Sequence, residues 1–136
     1  MSNSQELEAL TRRFYAALDA VALDTALQLA SPDVRACMGG QNLDRDAWMA
    51  TGKAFMTAFP DGKHEFHDVI VAGNQVVTRC VWSGTHLGDF MGMPASKRSV
   101  SINVIHIDRW VDGCIVEHFG QFDSLGLMQQ LGAIPG

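Results

Sequence analysis

Positive charge is scarce in this sequence of 136 residues: 10 Lys and Arg stand against 15 Asp and Glu, a formal net charge of −5. The cations Arg12, Arg13, Lys53, Lys63, Arg79, Lys97 and Arg98 are scattered, whereas a nucleic-acid binder gathers them on one face. No nucleic-acid partner is expected, and the pair Lys97-Arg98 reads as a solvated loop. Cysteine is sparse as well. The 3 cysteines, Cys37, Cys80 and Cys114, cannot all pair within the chain, and their apolar flanks mark them as reduced core thiols. Cys80 and Cys114 fall in strand-like segments, without the base or helix N-terminus that activates a thiol. No apolar run approaches the roughly 18 residues of a membrane span, and no basic-then-apolar leader opens the chain. The expectation is a cytoplasmic protein with no membrane partner.

Apolar residues, by contrast, make up 47% of the chain and charged residues only 18%. That is enough for the core of a single domain over 1–136, with apolar surface left to line a cavity. From Ser4 to Ala20, Leu7, Leu10, Phe14, Leu18 and Val21 recur at helical spacing. A second short helix is expected from Asp24 as N-cap to Ala30, stopped by Pro32. A short strand Val34–Met38 ends at Gly39-Gly40. A third helix starts at Asp44 and carries Trp48, Met49, Phe55, Met56 and Phe59, and Pro60-Asp61-Gly62 turns the chain.

Beyond that turn the period becomes two. Strands are expected over Lys63–Ala72, Gln75–Leu87, Arg98–Val111 and Cys114–Phe122, with hairpin signals at Gly73-Asn74 and Asp112-Gly113. Asp123 caps a last short helix. Helices followed by a long antiparallel meander imply an α+β fold: a curved sheet covered by the N-terminal helices, cone-shaped, with a pocket inside.

Alternation assigns the faces. Ile102, Val104, His106, Asp108 and Trp110 share one; Val116, His118, Gly120 and Phe122 share another, opposite Ile115, Glu117, Phe119 and Gln121. Val76, Cys80, Trp82 and His86 go together. Each apolar set thus carries one histidine: His86, His106 or His118. Any one alone reads as a core-edge histidine satisfied by one hydrogen bond; three together point to proton transfer, for which imidazole is suited near neutrality. Asp108, close to a hairpin end, reads as solvated. A zinc site at His64-Glu65-Phe66-His67 is rejected, because histidines three apart on a strand face opposite ways. No metal is expected. The loop Gly88–Pro94, with Phe90, Met91 and Met93, reads equally as a soft lid over an apolar ligand or as a hydrophobic plug or dimer contact. It lacks the pattern of a phosphate cradle. The outer sheet face, with Ile105, Ile107 and Ile115, suggests a homodimer.

The stretch Trp82 to Pro94 resembles the aromatic/Gly-x-His-x-Gly-x-x-x-Gly-Met-Pro segment of the SnoaL-like polyketide cyclases, of the nuclear-transport-factor-2-like superfamily. Val111 to His118 and Asp123 to Gly132 resemble the same family. The resemblance implies a cone-shaped α+β barrel and ring closure by intramolecular aldol condensation, without metal or cofactor. Its histidines fall on His86, His106 and His118. Its catalytic aspartate falls on Gly120, its asparagine on Ala36 and its glutamine on Val104, so the base and two polar partners are replaced. His118 and His106 are then the expected catalytic residues, with Asp108 or Asp123 as other candidates for the base. His86 would orient the substrate; Trp82, Phe90, Met93, Phe122 and Asp123 would contact it. The expected partner is a small hydrophobic, polyketide-like carbonyl compound. The alternatives are a non-catalytic carrier or sensor, a protein-interaction module, or a relative performing hydroxylation or hydrolysis.

Overall fold

A computed structural model describes residues 2–136; Met1, the first residue of the expected domain, lies outside them. Helix α1 (Asn3–Asp19) begins at a reciprocal capping box: the Ser2 hydroxyl accepts from Gln5 N, and the Gln5 side chain accepts from Ser2 N. Two otherwise orphaned donors are thereby satisfied. Helix α2 (Leu23–Gln28) begins and ends two residues earlier than its sequence suggested. Ala22 occupies the N-cap without a side-chain bond, so Asp24 is a first-turn residue and not the cap. Helix α3 (Arg45–Ala58) starts at Asp44, whose carboxylate accepts from Ala47 N at 2.8 Å. Helix α4 (Ser124–Gln130) starts at Asp123 in the same way, with Gly126 N as donor.

Six strands form one sheet: β1 (Ala30–Met38), β2 (Gln41–Leu43), β3 (Lys63–Ala72), β4 (Gln75–Thr85), β5 (Ser99–Val111) and β6 (Cys114–Phe122). Their order is β2-β1-β6-β5-β4-β3. The expected meander β3 to β6 is present, with its hairpins at the expected turns. At Asp112-Gly113 both residues adopt positive φ, +50° and +79°, as a type I′ turn demands.

Two features depart from the pattern read in the sequence. β1 runs through Pro32 and pairs in parallel with β6, while the unforeseen β2 extends the edge, so the sheet is mixed and unclosed. The proline is accommodated because the β1–β6 register shifts between Ala30 and Arg35, where no ladder donor is needed. Second, a bulge interrupts the β5–β6 pairing: Trp110 opposes Ile115, yet Arg109 opposes Glu117. Val116 is the extra residue. Ile115 consequently turns inward and is fully buried, and does not belong to the outer face.

Helix α1 packs on β3 and α3 on β1, so the helices close the concave side from opposite edges. Two apolar clusters result. One gathers Phe14, Tyr15, Trp48, Trp110 and Ile115; the other gathers Phe59, Trp82, Phe90, Ile102 and Leu127. The space between them is the interior of the cone.

Candidate functional site

A cavity of about 100 Å³ lies where the two clusters meet. Tyr15 of α1, Trp48 and Phe55 of α3, and Trp82, Val104 and Phe122 of the sheet line it, together with His64, His106 and His118. The more exposed lining residues Leu18, Val21, Gly52, Met56 and Pro60 mark its mouth between α1 and α3. An enclosed apolar space of 150 Å³ accepts a benzene ring. This one is smaller and opens at its mouth.

The polar floor is built on β5 and β6. Asp108 and His118 are direct partners in the register, and His118 Nδ1 meets Asp108 Oδ1 at 2.6 Å. The second carboxylate oxygen accepts from Tyr15 Oη, also at 2.6 Å. Asp108 is 0% exposed, which corrects the expectation of a solvated side chain. Two short bonds satisfy it in a place where an unpaired carboxylate would be prohibitive. Burial, and then the charge of Asp108, push the Tyr15 phenol well above its ordinary range, so it remains a protonated donor.

With the carboxylate on Nδ1, that nitrogen carries a proton, and the tautomer so selected leaves Nε2 with its lone pair. That Nε2 is buried without a partner. His118 stacks on Trp48 with ring centroids 4.3 Å apart, and His106 stacks on Tyr15 at 4.6 Å. The planes of both imidazoles are therefore fixed by packing. Both nitrogens of His106 are buried and unpartnered. Burial, reinforced by the neighbouring His118 and His64, holds the His106 pKa well below the usual histidine value. His106 is the neutral imidazole of the site.

Gly120 completes the floor. A Cβ at that position would lie 3.1 Å from His118 Nε2 and 3.2 Å from His106 Nδ1. The missing side chain leaves a notch bounded by two nitrogens, one a lone-pair acceptor and the other able to donate. An oxygen atom of a ligand can bridge them there.

The expected residues divide accordingly. His106, His118, Trp82 and Phe122 line the cavity. His86 is buried but lies off its walls: Nδ1 bonds the Ser96 hydroxyl at 2.8 Å, and the ring packs on Phe59. It pins the loop between β4 and β5. Phe90 packs on Phe55 and Phe59, and Met93 joins the same cluster, so this loop is a plug behind the cavity wall. Gly88 permits that seating, because a Cβ there would come within 2.5 Å of the Thr57 carbonyl oxygen. Asp123 is engaged as the α4 cap, away from the cavity lining. Ala36 stands beside His118 across the β1–β6 pairing, and Val104 presents an apolar wall. Tyr15 and His64 are cavity residues that sequence reasoning missed. The spacing Thr11-Tyr15-Leu18 on α1, parallel to the stripe that was read, carries the signal for Tyr15.

The model of the SnoaL-like polyketide cyclase family matches residues 9–131. The chain belongs to this family. Over 49 residues it is 47% identical to the aklanonic acid methyl ester cyclases DnrD of Streptomyces peucetius and DauD of Streptomyces sp. strain C5. That match covers 36% of this chain and 34% and 30% of the two relatives, about a third of their length. Among solved structures, IdmH of Streptomyces antibioticus, a candidate polyketide cyclase, superposes with a TM-score of 0.81 at 30% identity, over 96% of this chain and 99% of that one. AclR of Streptomyces galilaeus, a candidate hydroxylase, superposes with a TM-score of 0.92 at 26% identity, over 98% of this chain and 85% of that one. Among the described residues, no helix is long and apolar enough to cross a membrane.

Proposed function

We propose that this protein closes a carbocyclic ring by a cofactor-independent intramolecular aldol reaction on a hydrophobic, polyketide-like carbonyl compound. The observation that carries this reading is the Asp108–His118 pair, with His118 Nε2 unpartnered in an apolar cavity beside the neutral His106. His118 Nε2 removes a proton from the carbon next to a carbonyl group. The enolate oxygen occupies the notch over Gly120, where the His106 N–H stabilises it. The enolate carbon then bonds to a second carbonyl carbon of the same molecule, whose oxygen takes up a proton. The product is an isomer of the substrate, so no oxidant or reductant is consumed. Asp108 thereby supplies, through His118, the basicity that Gly120 cannot.

The test is incubation with a methyl ester of a 3-oxo acid carrying a distal ketone, followed by mass spectrometry and NMR. Formation of a cyclic isomer of unchanged mass, lost in His118→Gln with ligand affinity retained, supports the reading; an affinity change without turnover in the wild type supports a carrier. The likeness to AclR supports hydroxylation as a second reading. A product heavier by one oxygen, formed in air and absent under argon, would favour that one.

We also propose a second copy of this chain as the partner of the outer sheet face. Ile70, Val77, Ile107, Phe119 and Cys37 form one continuous cross-strand row. Its members Ile70 and Phe119 are 57% and 43% exposed. Ion pairs of both signs, Arg109 with Glu117 and Arg79 with Asp68, flank the row, a mixed-charge border that a copy of the same surface can match.

A further inference from the structure

His64 is the one cavity histidine that the ring-closing scheme leaves unused, and it repeats the arrangement of His118. Its Nδ1 lies 2.8 Å from Asp19 Oδ1, and its backbone N–H donates to the other oxygen of the same carboxylate at 2.8 Å. A carboxylate on Nδ1 again leaves Nε2 for the cavity, which His64 lines. The two pairs differ in access. His118 and Asp108 are sealed at 1% and 0% side-chain exposure, whereas His64 and Asp19 keep 11% and 23%. Between them stands His106, whose ring centroid is 5.3 Å from that of His118 and 5.5 Å from that of His64. Three imidazoles thus form a row from the sealed floor towards the mouth, with a carboxylate behind each end.

An aldol ring closure needs two proton transfers, one from the donor carbon and one to the acceptor oxygen. A single base can perform both only if the same nitrogen reaches both atoms. Resting on the ring-closing reading above, we propose that His64, positioned by Asp19, is the acid that protonates the acceptor oxygen. The balance closes. His118 gains the proton lost by the donor carbon; His64 gives one to the new hydroxyl; solvent entering by the mouth as product leaves takes the proton from His118 and returns one to His64. Over the cycle one proton leaves to solvent and one is taken from it. The substrate this selects carries two carbonyl groups that span the row, the enolisable one at His118 and the acceptor at His64.

The experiment separates the two transfers. In D2O, exchange of the α-proton of the 3-oxo ester into solvent, followed by NMR, reads the base alone; appearance of the cyclic isomer reads base and acid together. For His64→Gln, exchange is expected to stay within about twofold of the wild type while ring closure falls by about 10²-fold or more. Added imidazole is expected to restore closure to His64→Gly, because the mouth is open on that side. Closure at the wild-type rate in His64→Gln, with exchange retained, overturns the proposal. Absence of both exchange and closure in the wild type overturns the ring-closing reading instead, and this proposal falls with it. Retained exchange in His64→Gln also serves as the check that the variant is folded around an intact His118.

Discussion

The Asp108 carboxylate lies 2.6 Å from His118 Nδ1 across the β5–β6 pairing, with neither side chain reached by water. An imidazole so held has one tautomer and one orientation. Replacing Asp108 by Asn keeps the shape and an acceptor for Tyr15, but presents an amide that can donate to Nδ1 and drive the proton onto Nε2. Turnover is expected to fall by about 10³–10⁴-fold, the scale seen when an Asp–His couple is broken in this way. Far-UV circular dichroism and substrate affinity should stay close to the wild type. An Asp108→Asn enzyme within tenfold of wild-type kcat would remove His118 from the role of oriented base.

Gly120 offers a second handle. An alanine there puts a carbon 3.1 Å from His118 Nε2 and 3.2 Å from His106 Nδ1, closer than either nitrogen ordinarily tolerates. Gly120→Ala should weaken ligand binding and turnover together by about tenfold or more, as expected when a polar contact worth 1.4 kcal/mol or more is lost. Gly120→Asp should act differently, placing a negative charge between two imidazoles and raising the His106 pKa towards its ordinary value. Titration of the His106 ring by NMR checks this; an unmoved pKa would mean that the notch is not where the geometry puts it.

Much of this site was legible in the sequence, and the part that was not has a definite cause. Alternation on β5 placed Ile102, Val104, His106, Asp108 and Trp110 on the inner face, where all five are buried. The apolar company of His118 placed it inside as well. What alternation could not give was the partnership of Asp108 with His118. A two-residue turn at Asp112-Gly113 makes Asp108 the partner of Glu117 if the ladder is regular, and it would then turn His118 outward. The bulge at Val116 moves the register by one residue and brings Asp108 opposite His118. No local pattern announces a bulge, so the partnership stayed hidden, and the nearness of Asp108 to the hairpin end pointed to solvent instead. His64 escaped for another reason: as half of a rejected zinc motif it was not considered for its own face, and its partner Asp19 lies 45 residues away on another element. His86 was misplaced because its face was right but its depth was not; it sits one residue past the end of β4, behind Phe59.

The homodimer can be tested on the outer row without touching the cavity. Phe119 is 43% exposed and opposes Ile107 in the middle of that row. Phe119→Glu puts a charge where the two copies would meet, and desolvating it in an apolar interface is unfavourable by several kcal/mol. Sedimentation velocity is expected to show a dimer for the wild type and a monomer for this variant, with unchanged circular dichroism. A wild-type protein that remains monomeric at high micromolar concentration would leave the face without a self-partner.

His106 predicts an acid-sensitive fold, and the sign follows from its surroundings. In the native state its pKa is held well below the ordinary histidine value, first by burial and then by His118 and His64. In the unfolded chain it returns to about 6.5. Between those two values the unfolded state binds the extra proton, so stability rises with pH across that window. The contribution is fully present above about pH 6.5 and is lost progressively as pH falls towards the native pKa. For one proton the slope is at most about 1.4 kcal/mol per pH unit. Tyr15, Asp108, His118 and His64 surround the ring, but substituting His106 alone removes this proton. Urea denaturation from pH 7.5 down to 5 should therefore give a midpoint that falls steeply for the wild type and more shallowly for His106→Phe, whose ring can keep the stack on Tyr15. Equal slopes for the two proteins would show that His106 carries its proton in the native state, and the enolate would then be held by a cation instead of a neutral donor.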